Sequence, residues 1–120
     1  MFVVRDVAAS SRWYQELLGA TSGHGGDEFE MIMSGHDLLL ALHHRDFEEH
    51  PGLNAPEEGA AGAGVLLYCG ADDVDAVFAR VTTMGADLLD EPHTNELARQ
   101  YEFTVRDPDG YAITIYKRQA

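Results

Sequence analysis

At 120 residues and 13.2 kDa the chain is long enough for one hydrophobic core and too short for two independent domains. Eight Lys and Arg stand against 21 Asp and Glu, a formal charge of −13, which disfavours nucleic-acid phosphates and anionic lipid as partners. No apolar run reaches the roughly 18 residues of a spanning helix, and the start MFVVRDVAAS does not read as a leader, so a cytoplasmic location is expected.

The first element is a β-branched run, Met1 to Arg5. It gives way at Asp6 to a helical pattern in which Val7, Ser10, Ser11, Tyr14, Leu17 and Leu18 recur at three and four. Asp6 suits the N-cap, because its carboxylate can accept the free amides of the first turn, and Gly19 suits a left-handed C-terminal stop. The spacing therefore predicts a helix over 7–18.

Thr21 to Gly26, Phe29 to Met33 and Asp37 to His43 read as short antiparallel strands joined by tight turns. From 45 to 64 the chain is rich in Pro, Gly and Glu and has no periodicity, which predicts a linker or flap. The pattern then restarts. Val65 to Cys69 is an apolar strand in which the lone Cys69 reads as a buried thiol, Asp72 and Asp73 form a cap region, and Val74, Val77, Phe78, Val81 and Met84 mark a second helix closed by Gly85.

The two helix stops are 85 − 19 = 66 residues apart, the sign of an internal duplication. Leu88 and Leu89 indicate a further strand, and Arg99 to Arg106 and Tyr111 to Lys117 a hairpin turned at Asp107-Pro108-Asp109-Gly110, whose acid, proline and glycine suit a type I turn. The expected fold is α+β: a first βαβββ module over 1–44, the linker over 45–63 and a second module over 64–120.

Val4-Arg5-Asp6-Val7-Ala8-Ala9-Ser10 followed by Trp13-Tyr14 and Leu17-Leu18-Gly19, together with the closing Val105 to Ile115 stretch, resembles the vicinal oxygen chelate superfamily. That group includes glyoxalase I, extradiol dioxygenases, fosfomycin resistance enzymes, epimerases and non-catalytic bleomycin-binding proteins. The resemblance implies a fold, two modules whose mixed sheets curl around a cavity with helices outside, and not one reaction.

It also implies a divalent metal held by His, Glu or Gln from the first, fourth, fifth and eighth strands, acting as a Lewis acid. The first such position falls about seven residues before Asp6, ahead of Met1. The others fall on Ala41, Gly64 and Thr114. Alanine and glycine offer no side-chain donor, and a hydroxyl is a poor substitute for carboxylate or imidazole. A two-residue shift in the fourth strand brings His43 to the same face, which keeps a metal site with non-standard ligands open as an alternative.

Because strand side chains alternate, the face of these positions nominates ligand-binding residues: His43, Tyr68, Thr114 and Tyr116 directly. A simple register through the Asp107 to Gly110 turn adds Phe103 opposite Thr114 and Tyr101 opposite Tyr116, with Arg99 beyond, whereas a bulge reverses that assignment. Arg5 or Arg99 suits an anionic group, while Asp27, Glu28, Glu30 and Glu102 suit a cation, with solvation at the surface as the default for each.

The expected function is metal-independent binding of an aromatic or cationic small molecule, with drug sequestration in view, no catalytic residue and no cofactor. The alternative is a metal-dependent glyoxalase-like lyase or dioxygenase using His43. A homodimer is expected, because open sheet edges need cover.

Overall fold

The computed structural model of the protein describes residues 1–44 and 65–119, so the linker or flap expected at 45–64 lies outside the described residues. The chain divides into two compact units, Met1–Ala61 and Gly62–Ala120, each with one βαβββ module.

In the first unit β1 (Phe2–Val4) leads into α1 (Val7–Leu18), followed by β2 (Thr21–His24), β3 (Phe29–Ser34) and β4 (Asp37–His44). The helix has the expected bounds for the expected reasons. Asp6 keeps an extended backbone and its Oδ1 accepts the Ala9 amide at 3.0 Å, while Gly19 ends the helix in the left-handed region at φ 61°.

The sheet order is β1-β4-β3-β2, with β1 parallel to β4 and the other pairs antiparallel. Val7, Ser10, Tyr14 and Leu17 of α1 are buried, as are Ile32 and Leu42 of the strands, and apolar burial of this kind is the main force holding the layers.

The second unit repeats the plan with β5 (Leu66–Gly70), α2 (Val74–Met84), β6 (Asp87–Asn95), β7 (Gln100–Arg106) and β8 (Ala112–Arg118) in the order β5-β8-β7-β6. Asp73 caps α2 as Asp6 caps α1, with its Oδ1 3.0 Å from the Ala76 amide, and Gly85 closes it at φ 66°. The caps are 73 − 6 = 67 residues apart and the stops 66, so the second helix is one residue shorter.

Buried Val74, Val77 and Val81 belong to the same core as Phe103, Val105, Ile113 and Ile115, with the Phe78 and Phe103 rings edge to face at 5.4 Å. β6 is an edge strand, and its pairing with β7 slips between Asp90 and His93, where Pro92 has no amide to give.

The β7–β8 register differs from the simple one. Thr104 pairs with Thr114, Glu102 with Tyr116 and Gln100 with Arg118, whereas Phe103 faces Ile115 and Tyr101 faces Lys117. The cause lies in the turn. The Gly110 amide donates to the Asp107 carbonyl at 3.1 Å, Gly110 then takes φ 94°, and the pairing resumes with the Asp107 amide on the Tyr111 carbonyl at 2.8 Å. A type I turn followed by a left-handed glycine adds one residue to β8's side, and one residue of slip turns every β7 side chain to the other face.

Candidate functional site

The strands of the second unit present one face to α2 and one away from it. Ile113 and Ile115, each 1 % exposed, take the helix face as their alternation predicts. The opposite face carries Tyr68 on β5, Thr114 and Tyr116 on β8, and Gln100, Glu102 and Thr104 on β7. Tyr68 and Tyr116 meet edge to face with ring centroids 5.9 Å apart. One strand over, the Thr104 and Thr114 hydroxyls are 2.8 Å apart, and Thr114 is buried.

Beside the aromatic pair sits a carboxylate. Glu102 is 7 % exposed, directly across from Tyr116, and it accepts hydrogen bonds from the Asn95 amide group at 3.0 Å and from the Gln100 amide group at 2.6 Å. On the edge strand His93 stands opposite Glu102. Its imidazole is pushed above the ordinary value, first by its bond to the Glu91 carbonyl and then by the Asp90 and Glu102 carboxylates, against a lowering by burial. Tyr116 also borders an open depression of about 350 Å³ lined by Gly70, Ala71, Asp72, Lys117 and Arg118, in which the Lys117 ammonium donates to the Asp72 carbonyl at 2.9 Å.

In the first unit His43 is 4 % exposed, and its Nδ1–H donates to the His44 carbonyl at 2.6 Å. The Phe29 ring lies 6.2 Å from it and the His44 ring 4.9 Å. His43 shares its face with Val3, its partner on β1, and with Ala41 two residues earlier.

Of the residues nominated from sequence, the structure brings Tyr68, Thr114 and Tyr116 onto one face, and it places His43 in the other unit. The expected pairings of Phe103 and Tyr101 are corrected. Phe103 is fully buried against Phe78, and the Tyr101 hydroxyl donates to Asp75 Oδ1 of α2 at 2.7 Å. Arg99 lies in the turn ahead of β7 with φ 54°, where its carbonyl accepts the Gln119 amide at 2.9 Å.

The surface reading of Glu30 and Glu102 is corrected as well, since both are buried. Glu30 turns to the helix side, where it accepts from the Ser11 hydroxyl at 3.3 Å, the Ser22 hydroxyl at 2.6 Å and the Met31 amide at 3.1 Å. The sequence signal that places Glu102 on the Thr114 face is the glycine at the fourth turn position, Gly110, once it is read as the seat of a bulge.

The positions at which the resemblance implies a metal do not fit one. Ala41 has no donor atom, the Thr114 hydroxyl is engaged with Thr104, and Gly64 lies outside the described residues. Among the described residues no three His, Cys, Asp or Glu side chains gather closely enough to hold an ion.

The comparisons agree with the architecture. A protein of unknown function from Agrobacterium tumefaciens str. C58 is 26% identical, with a TM-score of 0.77 over 98% of this chain and 89% of that one. A glyoxalase/bleomycin resistance protein/dioxygenase family enzyme from Burkholderia phytofirmans PsJN is 22% identical, with a TM-score of 0.76 over 96% and 92%. A virulence protein from Salmonella typhimurium is 20% identical, with a TM-score of 0.70 over 98% and 92%.

No match was found among curated proteins. The family model described as Glyoxalase/Bleomycin resistance protein/Dioxygenase superfamily matches residues 1–115, nearly the whole length over which the two βαβββ modules run. On that match and that fold, the chain belongs to the Glyoxalase/Bleomycin resistance protein/Dioxygenase superfamily.

Proposed function

We propose that the protein binds a small, flat organic molecule without a metal ion and acts by sequestering it, as a drug-binding member of its superfamily would. The observation that carries the reading is Thr114. Where the resemblance implies a metal-ligating carboxylate or imidazole, the chain has a hydroxyl that is 2 % exposed and paired with Thr104 at 2.8 Å. Around it the face offers ring surface beside the single carboxylate of Glu102: Tyr68 is 55% exposed and stands edge to face with Tyr116. Aromatic walls with a few fixed polar groups favour capture of a planar guest over activation of water.

Two measurements on one preparation test the proposal. Metal analysis of the purified protein should find only substoichiometric Zn, Ni, Fe and Mn, and a fluorescence titration with acridine should saturate whether or not a chelator is present. Tyr116→Ala should weaken acridine by several-fold, in line with about 0.5–1.5 kcal/mol for an aromatic contact. One tightly held metal ion per chain, with acridine binding lost on its removal, would overturn the reading.

A further inference from the structure

Glu102 is a buried carboxylate to which no Lys or Arg among the described residues is paired, with the exposed His93 imidazole opposite it on the edge strand. Its two side-chain hydrogen-bond partners among the described residues, Asn95 and Gln100, are uncharged amides. The ion pairs of His93 with Asp90 and of Arg106 with Asp87 do not include it. Taking a carboxylate from water is costly unless an opposite charge or a full set of donors meets it. A carboxylate has about four acceptor sites, of which these two amides fill two. On the side of the sheet turned away from α2, Glu102 stands in register between His93 of β6 and Tyr116 of β8.

A buried acid next to an aromatic face attracts an organic cation in two ways. The carboxylate supplies Coulomb attraction in surroundings that screen it weakly, and the negative face of the ring adds a cation–π contribution. Glu30, equally buried, differs in having three donors, one of them a main-chain amide, in contact with α1 through Ser11. It reads as a fastening between helix and sheet, whereas Glu102 has an aromatic neighbour and spare acceptor sites. The chain's charge of −13 adds a long-range field of the same sign.

We infer that Glu102, held by Asn95 and Gln100 across from Tyr116, is the anchor for a positively charged nitrogen on an aromatic ligand, so that the site selects planar organic cations over their neutral counterparts. The inference rests on the binding function proposed above and names the ligand class for the same face. The amide groups keep the carboxylate aimed without cancelling its charge, and the ring closes over the flat part of the guest.

The test compares two probes of nearly one shape, N-methylacridinium and acridine, at a mildly alkaline pH where acridine is neutral. The native protein should hold N-methylacridinium at least about ten-fold more tightly, equivalent to about 1.4 kcal/mol. Glu102→Gln should bring the affinities for the two probes to within about two-fold of each other, equivalent to about 0.4 kcal/mol. His93→Lys, an exposed edge-strand substitution that keeps the Asn95, Glu102 and Gln100 cluster whole, places a fixed positive charge opposite Glu102 and should lower the preference several-fold.

Equal affinity for the two probes in the native protein overturns the assignment of Glu102 and leaves the binding function standing. So does a preference that survives both substitutions. Failure of both probes to bind overturns the binding function and this inference together.

Discussion

Asp107 Oδ1 accepts two main-chain amides at once, from Asp109 at 2.9 Å and from Tyr111 at 2.8 Å, and so organises the turn that sets the β7–β8 register. Asp107 is 4 % exposed and Tyr111 7 %, which leaves water little access to replace either bond. Asp107→Ala should cost about 1–3 kcal/mol, the penalty for stranding buried donors, and Asp107→Asn should recover much of it through its own oxygen. Urea unfolding midpoints of the two variants check this, and equal midpoints for Asp107→Ala and the native protein would refute it.

Glu30 should be worth more to stability than a typical strand carboxylate. Its two oxygens gather the Ser11 hydroxyl of α1, the Ser22 hydroxyl of β2 and its neighbour's amide, so its removal leaves several donors without an acceptor. Glu30→Ala should cost about 1.5–3 kcal/mol, in the range of hydrogen bonds to charged groups. Ser22→Ala should cost about 1 kcal/mol, and the double variant should show a coupling of at least about 0.5 kcal/mol, since the two groups share one network. Strict additivity in chemical denaturation would mean that the bond at 2.6 Å contributes nothing.

Much of the fold was legible in the sequence because it is set locally. Asp6 and Asp73 as caps, Gly19 and Gly85 as stops, and the alternation that buries Ile113 and Ile115 each depend on a few neighbouring residues. The common face of Tyr68, Thr114 and Tyr116 on β5 and β8 was legible for the same reason. On β7 it was not, because which face Glu102 or Phe103 takes depends on the count of residues through the turn. That count is decided by Gly110 entering the left-handed region at φ 94°. The burial of Glu30 was hidden for another reason: its partners Ser11 and Ser22 come from two other elements and are brought to it only by packing.

The two N-caps make a matched pair for measurement. Asp6→Ala and Asp73→Ala should each destabilise by about 1 kcal/mol, since each removes the acceptor for a first-turn amide, and replacement by Asn should restore most of the loss. Thermal unfolding followed by circular dichroism reads both. A cap variant with unchanged stability would show that water serves the Ala9 or Ala76 amide equally well.

Alkaline titration should separate Tyr101 and Tyr111 from an ordinary phenol. The Tyr101 proton is held chiefly by its hydrogen bond to Asp75, then by burial and by the charge of that same carboxylate. For Tyr111 burial acts first, followed by the Asp107 and Asp109 carboxylates. Both are raised above the ordinary value of about 10, so the folded chain keeps these protons at a pH where the unfolded chain has released them. Their contribution to stability is therefore complete below about pH 10 and is lost as pH rises through the folded values. Asp75→Asn should bring the Tyr101 transition down toward the ordinary value while leaving that of Tyr111 in place. The difference between native and Tyr101→Phe protein in an ultraviolet phenolate titration isolates the first group, and Tyr111→Phe the second. If the subtracted phenol ionises with an ordinary midpoint in either case, the corresponding restraint, the Asp75 bond or the buried hairpin turn, is absent in solution.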